Sequence, residues 1–412
     1  MDFLQLGLDG KNQIAGKSSA LGQASFRAYS ANTGEAIGPV FVEATEAEVD
    51  LAATSADQAF DAYSTLPPDK IATFLEAIAE GIVNLGDGLI QCAAAETALH
   101  VDRITGERGR TVNQLKLFAD LVRQGKWKDV RVDPALPDRK PLKRSDLRRT
   151  MIPVGPVAIW AASNFPLAFS VAGGDTAAAL AAGCPVIVKA HPGHPCTSEL
   201  VARVIGQVVA KLDLPPGSFS MLQGTSPAVS IALVSHPKIA SGAFTGSLRA
   251  GRALFDAAAQ RPEPIPFFAE MGSVNPVFLL EGALAERGSA MAEGLAQSVN
   301  MGVGQFCTCP GLALAVDSPS LTSFATELRG RFQSAKPGTM LTTAIAKSYV
   351  DAVQRVEVFS KLKATKATAL EGLATPVLFE TDAATFLQHP ELRHEVFGPA
   401  TILVTCASVE EM

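Results

Sequence analysis

Short apolar segments alternate with helix-like segments along this chain from Thr150 onward. Val157-Ala-Ile-Trp-Ala-Ala and Val186-Ile-Val-Lys are two such segments, and the small residues of 171–182 between them predict a helix. Continuous apolar strands separated by helices are typical of a parallel sheet that is covered on both faces. The sequence therefore predicts an α/β fold, in which a dinucleotide would bind at the carboxyl ends of the strands.

The remaining segments fit the same class of fold. Before the alternation, the helical spacing of apolar residues, with Thr45 as an expected N-cap, predicts helices at 45–63, 67–97 and 111–124. The alternation predicts strands at 157–162, 186–189, 219–222, 239–244 and 275–280, and helices at 171–182, 197–211, 228–234, 249–259 and 287–300.

The bulk composition excludes several classes of protein. A chain of 412 residues, 47% of them hydrophobic and 18% charged, has ample length for a core and is not extended disorder. A net charge of −6 argues against a nucleic-acid partner. The start does not resemble a signal peptide, no apolar run reaches transmembrane length, and the six cysteines lack framework spacing. We therefore expect a cytoplasmic protein without membrane contact.

A close cysteine pair and a basic segment do not indicate a metal site or a nucleic-acid contact. Cys307-Thr-Cys309 is the only close cysteine pair, and no set of histidines or further cysteines lies beside it, so no metal site is expected. The stretch 131–149 mixes prolines with basic and acidic residues and has no aromatic residue. Such a segment favours a solvated, projecting hairpin over a nucleic-acid contact.

Three segments offer complementary chemistry: a thiol at Cys307, a carboxylate at Glu270 and an amide at Asn164. A thiolate can capture a carbonyl, an amide can hold the resulting oxyanion, and a carboxylate can activate water to hydrolyse a thioester. Taken singly, each residue could be inert packing, an ion-pair partner or part of a turn. The three in this order predict an enzyme that acts on a carbonyl.

A candidate phosphate site lies between these segments, in Phe244-Thr-Gly-Ser-Leu-Arg-Ala-Gly251, where a strand ends and a helix begins. Gly246 and Gly251 permit close approach, and Ser247 would cap a helix whose first N–H groups attract phosphate. Lys189 closes another strand and would point towards the crevice where a ribose would lie. The alternatives are an ordinary strand-to-helix turn and a solvated strand end.

Six motifs follow one another along the chain: Asn164-Phe-Pro, Val188-Lys189, Phe244-Thr-Gly-Ser with Gly251, Glu270-Met-Gly, Gly304-Gln-Phe-Cys307-Thr and Glu395-Val-Phe-Gly-Pro. Their order resembles that of the aldehyde dehydrogenase superfamily from about Phe26 to the end of the chain. The amino-acid sequence around Phe165-Pro-Leu and Pro262-Glu-Pro looks most like that of the α-ketoglutaric semialdehyde (2,5-dioxovalerate) dehydrogenase branch. The resemblance implies a Rossmann-type parallel-sheet NAD(P)-binding domain (1–131 and 151–271), a projecting oligomerisation hairpin (132–150) and a second α/β, catalytic domain (272–412).

The same resemblance implies roles for the reactive residues. Cys307 would be the nucleophile that forms a thiohemiacetal and then a thioester, and Asn164 would complete the oxyanion hole with the Cys307 N–H group. Glu270 would activate the hydrolytic water. Phe165 and Phe169 match positions that line the family's aldehyde tunnel, although both could be core residues.

Further residues would bind the cofactor. Lys189 resembles the residue that hydrogen-bonds the adenosine ribose, and Glu395 and Phe397 resemble the pair that fixes the nicotinamide ribose and packs beside the nicotinamide. Pro192 stands where many NAD-preferring relatives carry a glutamate that repels a 2′-phosphate. NADP is therefore expected to be tolerated as well as NAD, and whether it is preferred is left open.

The substrate implied by the resemblance is α-ketoglutaric semialdehyde, which would be oxidised to 2-oxoglutarate. Its carboxylate calls for a cationic group, for which Arg103 and Arg110 are candidates unless they lie on the surface. The alternatives are a dehydrogenase for a fatty aldehyde or succinic semialdehyde, and a coenzyme A-acylating relative, against which Glu270 argues.

The end of the chain departs from the family pattern. Family members continue for about a hundred residues beyond Glu395-Val-Phe-Gly-Pro. A catalytic domain that is incomplete at its C-terminus is therefore expected, and an inactive truncated fragment is a further alternative. The complete protein is expected to be a homodimer or homotetramer.

Overall fold

The computed structural model describes residues 3–359 and 362–412, except for the side chains of residues 4 and 5. These residues form two units. The first unit comprises the chain up to Tyr29, then Glu35–Glu96 and His100–Met271, and the second comprises Ser30–Gly34, Thr97–Leu99 and Gly272–Met412. Each unit contains a mostly parallel sheet with helices, which confirms the predicted α/β class.

The first unit is built on a seven-stranded sheet and two strand pairs. Its strands are β1 (Asn12–Ile14), β2 (Lys17–Ser19), β3 (Ser25–Tyr29), β4 (Ala36–Val42), β5 (Arg131–Asp133), β6 (Leu147–Arg149), β7 (Val157–Trp160), β8 (Val186–Lys189), β9 (Phe219–Leu222), β10 (Ser241–Gly246) and β11 (Phe267–Met271). Its helices are α1 (Glu46–Ser64), α2 (Pro68–Asn84), α3 (Gly86–Thr97), α4 (Val101–Gln124), α5 (Gly174–Ala181), α6 (Pro195–Lys211), α7 (Pro227–Ser235) and α8 (Leu248–Ala259).

The seven-stranded sheet has the order β11-β10-β7-β8-β9-β1-β2. The strands from β11 to β9 are parallel, and β1, which follows β9, is antiparallel to both of its neighbours, β9 and β2. The register pairs Trp160 with both Lys189 and Phe244. The carboxyl ends of β7, β8 and β10 therefore meet at one edge, and the candidate site segments follow directly from these ends.

Apolar side chains hold helices against this sheet. On one face, Val49 of α1, Leu233 of α7 and Leu254 of α8 pack with Trp160 and Ile187 of the strands, all of them buried. Burial of such side chains is the main favourable contribution to folding. All four residues of each of the strands β7, β8 and β9 are buried, so these strands are covered on both faces, as their continuous apolar sequence predicts.

Local signals explain where helices begin and end. Thr45 caps α1 as predicted, and a reciprocal capping box joins it to Glu48. The predicted helix 67–97 is instead two helices, because Gly86 adopts a φ of +58°, which glycine tolerates and which interrupts helical geometry. Helix α5 starts later than predicted, since the residues before Gly174 form turns.

The predicted helix 111–124 begins earlier, at Val101. His100 caps it through Nδ1, which accepts a hydrogen bond from the Asp102 N–H group at 3.3 Å. The inward face of the added turns carries Glu107, which is buried, and the buried Thr111 follows on the same face. Polar residues on the buried face interrupt the apolar periodicity, which is why the sequence pattern missed these turns.

The segment predicted as a projecting hairpin forms an antiparallel pair of short strands. Arg131 pairs with Arg149, and Asp133 pairs with Leu147. Nearly all residues of 131–149 are exposed. The role of this segment in oligomers stays a prediction.

The second unit is built on a five-stranded sheet with the order β12-β13-β16-β15-β14, in which only β14 is antiparallel. Its strands are β12 (Pro276–Leu279), β13 (Leu312–Val316), β14 (Lys363–Lys366), β15 (Val377–Asp382) and β16 (Ala400–Cys406). Its helices are α9 (Glu281–Asn300), which has a break at Arg287, α10 (Pro319–Ser334), α11 (Thr343–Glu357) and α12 (Ala383–Gln388).

Both faces of the second sheet are covered. Leu378 and Leu403 pack with α9 and α10, whereas their neighbours Phe379 and Val404 pack with α11 and α12 on the other face. Alternate residues of a strand point to opposite faces, so one sheet supports two cores. No helix in the described parts of the chain is both long and apolar enough to cross a membrane.

Candidate active site

Cys307 in the second unit follows a strained turn. The three residues Gly302–Gly304 have φ values of +55°, +58° and +66°. The middle one is Val303, a β-branched residue that rarely adopts this conformation, and such strain is concentrated at functional sites. A Cβ atom on Gly304 would lie 2.1 Å from the carbonyl carbon of Gly398, so only glycine fits. The turn before Cys307 thus packs backbone to backbone against the motif that contains Glu395.

Two side chains hold the backbone of Cys307. Asn275 donates hydrogen bonds through Nδ2 to the carbonyl oxygens of Cys307 at 2.6 Å and Cys309 at 3.0 Å. The Ser273 hydroxyl also donates to the Cys307 carbonyl. No role was predicted for Ser273 or Asn275 from the sequence. The available signal was their position directly after Glu270-Met-Gly, in Ser273-Val-Asn275-Pro.

A buried glutamine fixes the other end of this turn. Gln305 accepts a hydrogen bond from the Leu341 N–H group at 2.9 Å and donates to the Gly302 carbonyl at 3.1 Å. Only 1% of its surface is exposed. Buried amides with such partners rigidify their surroundings. The segment that carries the thiol is therefore held on both sides of the reactive side chain.

Glu395 and Phe397 line a cavity of about 240 Å³ within the second unit, together with Cys309. The Glu395 carboxylate accepts a hydrogen bond from the Ser273 N–H group at 3.3 Å, and burial raises the pKa of Glu395. Burial, aided by the negative charge of Glu395, raises the pKa of Cys309 to about 12. Cys309 therefore stays a thiol near neutral pH, whereas Cys307, which is half-buried, lies outside the lining of this cavity.

Asn164 in the first unit lies in a loop that α4 holds in place. Arg103 donates a hydrogen bond to the Asn164 carbonyl at 2.6 Å. The Glu107 carboxylate accepts from the N–H groups of Leu167 and Ala168 at 2.8 and 3.0 Å. Burial raises the pKa of Glu107, and these N–H groups oppose that rise. Glu107 was not predicted from the sequence, where the available signal was an acid on the inward face of a helix.

Phe165 and Phe169 form a cluster with two arginines of α4. The two rings meet edge to face with centroids 5.1 Å apart. The Arg110 guanidinium lies over both rings, 4.9 Å from the centroid of Phe169 and 5.6 Å from that of Phe165, and Arg103 lies 4.9 Å from the latter. We call these four residues the aromatic–arginine cluster. It brings the predicted tunnel residues together with the candidate arginines.

Glu270 lies on β11 opposite Thr245 of β10 and is exposed. Its negative charge, after the larger effect of burial, contributes to the raised pKa of Asp175 at the start of α5. The two carboxyl groups are therefore neighbours. An ion pair for Glu270 was one alternative, and the described residues contain no such pair. The structure thus leaves its carboxylate available to solvent.

Lys189 is not a solvated strand end, since only 7% of its surface is exposed. Its ammonium group donates hydrogen bonds to the carbonyls of Ala190, at 2.9 Å, and Gly224. Burial lowers the pKa of Lys189 to about 8, and the nearby Glu43 carboxylate opposes this change. An ammonium has three hydrogens, so one remains for a further acceptor. Pro192 lies half-buried in the loop that follows.

The strand-to-helix turn at β10 is capped as predicted. The Ser247 side chain accepts a hydrogen bond from the Ala250 N–H group at 3.3 Å, and Gly246 and Ser247 are exposed. Gly251 has a packing role, because a Cβ atom there would lie 2.3 Å from the Met271 side chain. The first N–H groups of a helix lack intrahelical partners, so this exposed start of α8 suits an anion.

A separate buried cluster was missed because its members are distant in sequence. Ligand atoms of Cys92, Glu96 and Cys196 lie within 4.8 Å of one another. Glu96 accepts hydrogen bonds from the N–H groups of Cys196 and Thr197, at 2.7 and 2.9 Å, at the start of α6. Burial raises the pKa of Glu96 to about 7. These contacts make Glu96 a buried cap of α6.

Comparison with known proteins identifies the family. Residues 18–412 match the family model described as the aldehyde dehydrogenase family. The chain belongs to the aldehyde dehydrogenase family. This confirms the resemblance noted from the motifs and the prediction of an oxidoreductase that acts on aldehydes. The assignment of individual site residues stays a prediction.

Relatives within the aldehyde dehydrogenase family cover nearly the whole chain. Alpha-ketoglutaric semialdehyde dehydrogenase 2 of Azospirillum brasilense is 49% identical over 409 residues, which is 98% of this chain and 78% of that protein. The alpha-ketoglutaric semialdehyde dehydrogenase of Acinetobacter baylyi is 46% identical over 400 residues, which is 96% of this chain and 76% of that protein.

Solved structures of aldehyde dehydrogenases share the fold. An NAD-dependent benzaldehyde dehydrogenase from Corynebacterium glutamicum matches with a TM-score of 0.83 and 19% identity, over 98% of this chain and 86% of that one. An apo betaine aldehyde dehydrogenase from Staphylococcus aureus matches with a TM-score of 0.84 and 18% identity, over 99% and 81%. The predicted aldehyde dehydrogenase-like fold is confirmed.

Proposed function

We propose that this aldehyde dehydrogenase oxidises α-ketoglutaric semialdehyde to 2-oxoglutarate with NAD or NADP. Two relatives that bear the name of this activity are 49% and 46% identical to nearly the whole chain. The observation that carries the proposal is the aromatic–arginine cluster. It places two guanidinium groups on the rings predicted to line the aldehyde tunnel, as a substrate with a carboxylate requires.

The proposed reaction begins at Cys307. Its thiolate forms a C–S bond with the aldehyde carbon, and the carbonyl oxygen becomes an oxyanion that accepts hydrogen bonds from the Asn164 amide and the Cys307 N–H group. One such donor is typically worth about 3 kcal/mol in the transition state. The hydrogen bonds from Ser273 and Asn275 support this step, because they fix the backbone from which the thiol projects.

Bound NAD(P) supplies the acceptor for the hydride that leaves the aldehyde carbon. As the hydride leaves, the oxyanion re-forms a carbonyl, which leaves a thioester on Cys307. Glu270 takes one proton from water, the water oxygen attacks the thioester, and the C–S bond breaks to release the thiolate and the carboxylic acid, which loses its proton to solvent to give the carboxylate product. The exposed position of Glu270 supports this role, since water reaches it directly.

The residues predicted to bind the cofactor fit a dinucleotide. The exposed start of α8, capped by Ser247, offers N–H groups to a pyrophosphate, and Lys189 keeps one hydrogen for a ribose hydroxyl. Glu395 and Phe397 would hold the nicotinamide end. Solved structures of relatives from Bacillus cereus and Pseudomonas syringae contain NAD+. NADP use remains part of the proposal because Pro192 supplies no carboxylate.

The direct test measures formation of reduced cofactor with α-ketoglutaric semialdehyde, succinic semialdehyde and a medium-chain aldehyde. We expect the highest kcat/KM with α-ketoglutaric semialdehyde and no turnover by Cys307→Ser, which should still bind cofactor. Arg110→Met should raise KM for the two acids by roughly ten-fold or more, because a charge-assisted contact is lost, and should spare the uncharged aldehyde. Arg252→Met, which removes an exposed arginine that lies over the ring of Phe255, is the matched control.

Other outcomes decide between the alternatives. Highest kcat/KM with another aldehyde would assign the substrate to that aldehyde. Turnover that requires coenzyme A would indicate the acylating class. Saturable cofactor binding without turnover by the unmodified chain would indicate that this chain is catalytically inactive.

We further propose a homo-oligomer that assembles through the β5–β6 hairpin, in the cytoplasm. The exposed position of the hairpin supports the first statement, and the lack of framework spacing among the six cysteines supports a reducing compartment. Sedimentation analysis is expected to give a dimer or tetramer. A monomer at micromolar concentration would contradict the assembly.

A further inference from the structure

Glu43 lies beside Lys189, at the end of the first unit's sheet where the adenosine ribose is expected. Its carboxylate accepts hydrogen bonds from the Ser226 N–H group at 2.7 Å and from the Thr225 hydroxyl at 3.2 Å. The carbonyl of Gly224, the preceding residue, accepts from the Lys189 ammonium. One short segment, 224–226, therefore joins this carboxylate to this ammonium.

The loop after β8 contains no carboxylate that could act in the same way as Glu43. Pro192 supplies no carboxylate there, and His191 and His194 stay neutral because burial lowers the pKa of each. Lys189 is thus the positively charged residue at this end of the sheet, and the negative charge of Glu43 acts on it. Glu43 is half-buried and lines a cleft of about 280 Å³ with Ser226, so solvent screens its charge only in part.

We propose that Glu43 selects against a 2′-phosphate on the adenosine ribose and so makes the protein prefer NAD to NADP. The inference rests on the proposed function, in which Lys189 binds that ribose. A 2′-phosphate placed at Lys189 would bring about two negative charges close to Glu43, whereas a 2′-hydroxyl brings none. Glu43 is far from Lys189 in sequence, so the motif around Pro192 indicated only that NADP is tolerated and did not predict this preference.

The test uses equilibrium binding rather than turnover. Isothermal titration calorimetry would give the Kd of NAD+ and NADP+ for the unmodified protein and for Glu43→Gln, which removes the charge but keeps an oxygen for the Ser226 N–H group. We expect the unmodified protein to bind NAD+ more tightly. The ratio of the NADP+ Kd to the NAD+ Kd should fall about ten-fold in Glu43→Gln, which corresponds to about 1.4 kcal/mol.

Two matched controls separate charge from position. Thr225→Val removes a hydrogen bond to Glu43 without changing its charge and should leave the ratio unchanged. Glu46→Gln removes a neighbouring acid that lines the same cleft, and should change the ratio less than Glu43→Gln. Adenosine 2′,5′-bisphosphate and 5′-AMP, used as probes, should show the same discrimination as the complete cofactors.

Salt dependence tests the inference without any substitution. If repulsion from Glu43 dominates, raising the ionic strength should lower the Kd ratio of the unmodified protein, because screening weakens the repulsion. A ratio that rises with salt would overturn the inference. An unchanged ratio in folded Glu43→Gln would do the same and leave the proposed function intact. Failure of the unmodified protein to bind either cofactor would instead contradict the proposed function.

Discussion

Asn275 offers the sharpest test of how the reactive thiol is positioned. Its side chain donates to the carbonyls of Cys307 and Cys309, and its own φ is +43°. Asn275→Ala removes both hydrogen bonds and leaves an alanine in a left-handed conformation that asparagine tolerates better. Asn275→Gly removes the same hydrogen bonds but has no β-carbon to strain. The pair of variants therefore separates the two effects.

The magnitudes follow from these contacts. Each hydrogen bond contributes about 1 kcal/mol to the free energy of unfolding. A left-handed conformation costs an ordinary residue about 1–2 kcal/mol, a cost that asparagine partly escapes and glycine avoids. We therefore expect a loss of about 3 kcal/mol for Asn275→Ala and about 2 kcal/mol for Asn275→Gly. Glycine also gives the unfolded chain more conformational freedom, which destabilises Asn275→Gly and reduces the difference in the free energy of unfolding between the two variants.

The assay combines denaturant unfolding with the rate of Cys307 alkylation by iodoacetamide, measured against Cys307→Ser as the blank for the other cysteines. Both Asn275 variants should change the alkylation rate and lower kcat by roughly ten-fold, since a misplaced nucleophile loses alignment with the carbonyl. Stability, alkylation and kcat all equal to those of the unmodified protein in Asn275→Gly would refute the argument that these hydrogen bonds position the thiol.

Three further predictions concern the same supports. Gly304→Ala should lose about 3 kcal/mol or more and nearly all activity, measured by unfolding and turnover, because its β-carbon would overlap the backbone of Gly398. Glu107→Ala should lower the free energy of unfolding by about 4 kcal/mol, because it leaves two buried N–H groups unpaired. It should also lower kcat, because these groups hold the loop that carries Asn164. An unchanged unfolding midpoint would contradict the predicted loss of stability. The pKa of Glu96 is raised to about 7 in the folded state. The free energy of unfolding of the unmodified protein should therefore fall by up to about 3 kcal/mol relative to that of Glu96→Gln as pH rises from about 4.5 to 7. Equal pH profiles of the two proteins in urea unfolding would refute this prediction.

Features of the fold that depend on neighbouring residues were predictable from the sequence. The capping of α1 by Thr45 is such a case, because the partner Glu48 lies within the first turn. The start of α4 was not predictable, since Glu107 faces inward to bind a loop that is distant in sequence. Burying a carboxylate is costly unless it is hydrogen-bonded, so periodicity methods treat such a face as solvent-exposed.

The same distinction separates the reactive atoms from their supports. A thiol between glycines is visible in the sequence because the chemistry belongs to the residue itself. The hydrogen bond that holds its carbonyl comes from Asn275, 32 residues away, and Glu107 reaches Leu167 across 60 residues. Such pairings depend on how sheets and helices bring distant segments together, and no local pattern encodes them. If precise placement contributes as much to catalysis as the reactive groups do, then Asn275 and Glu107 variants should lower kcat while the thiol and the amide remain present.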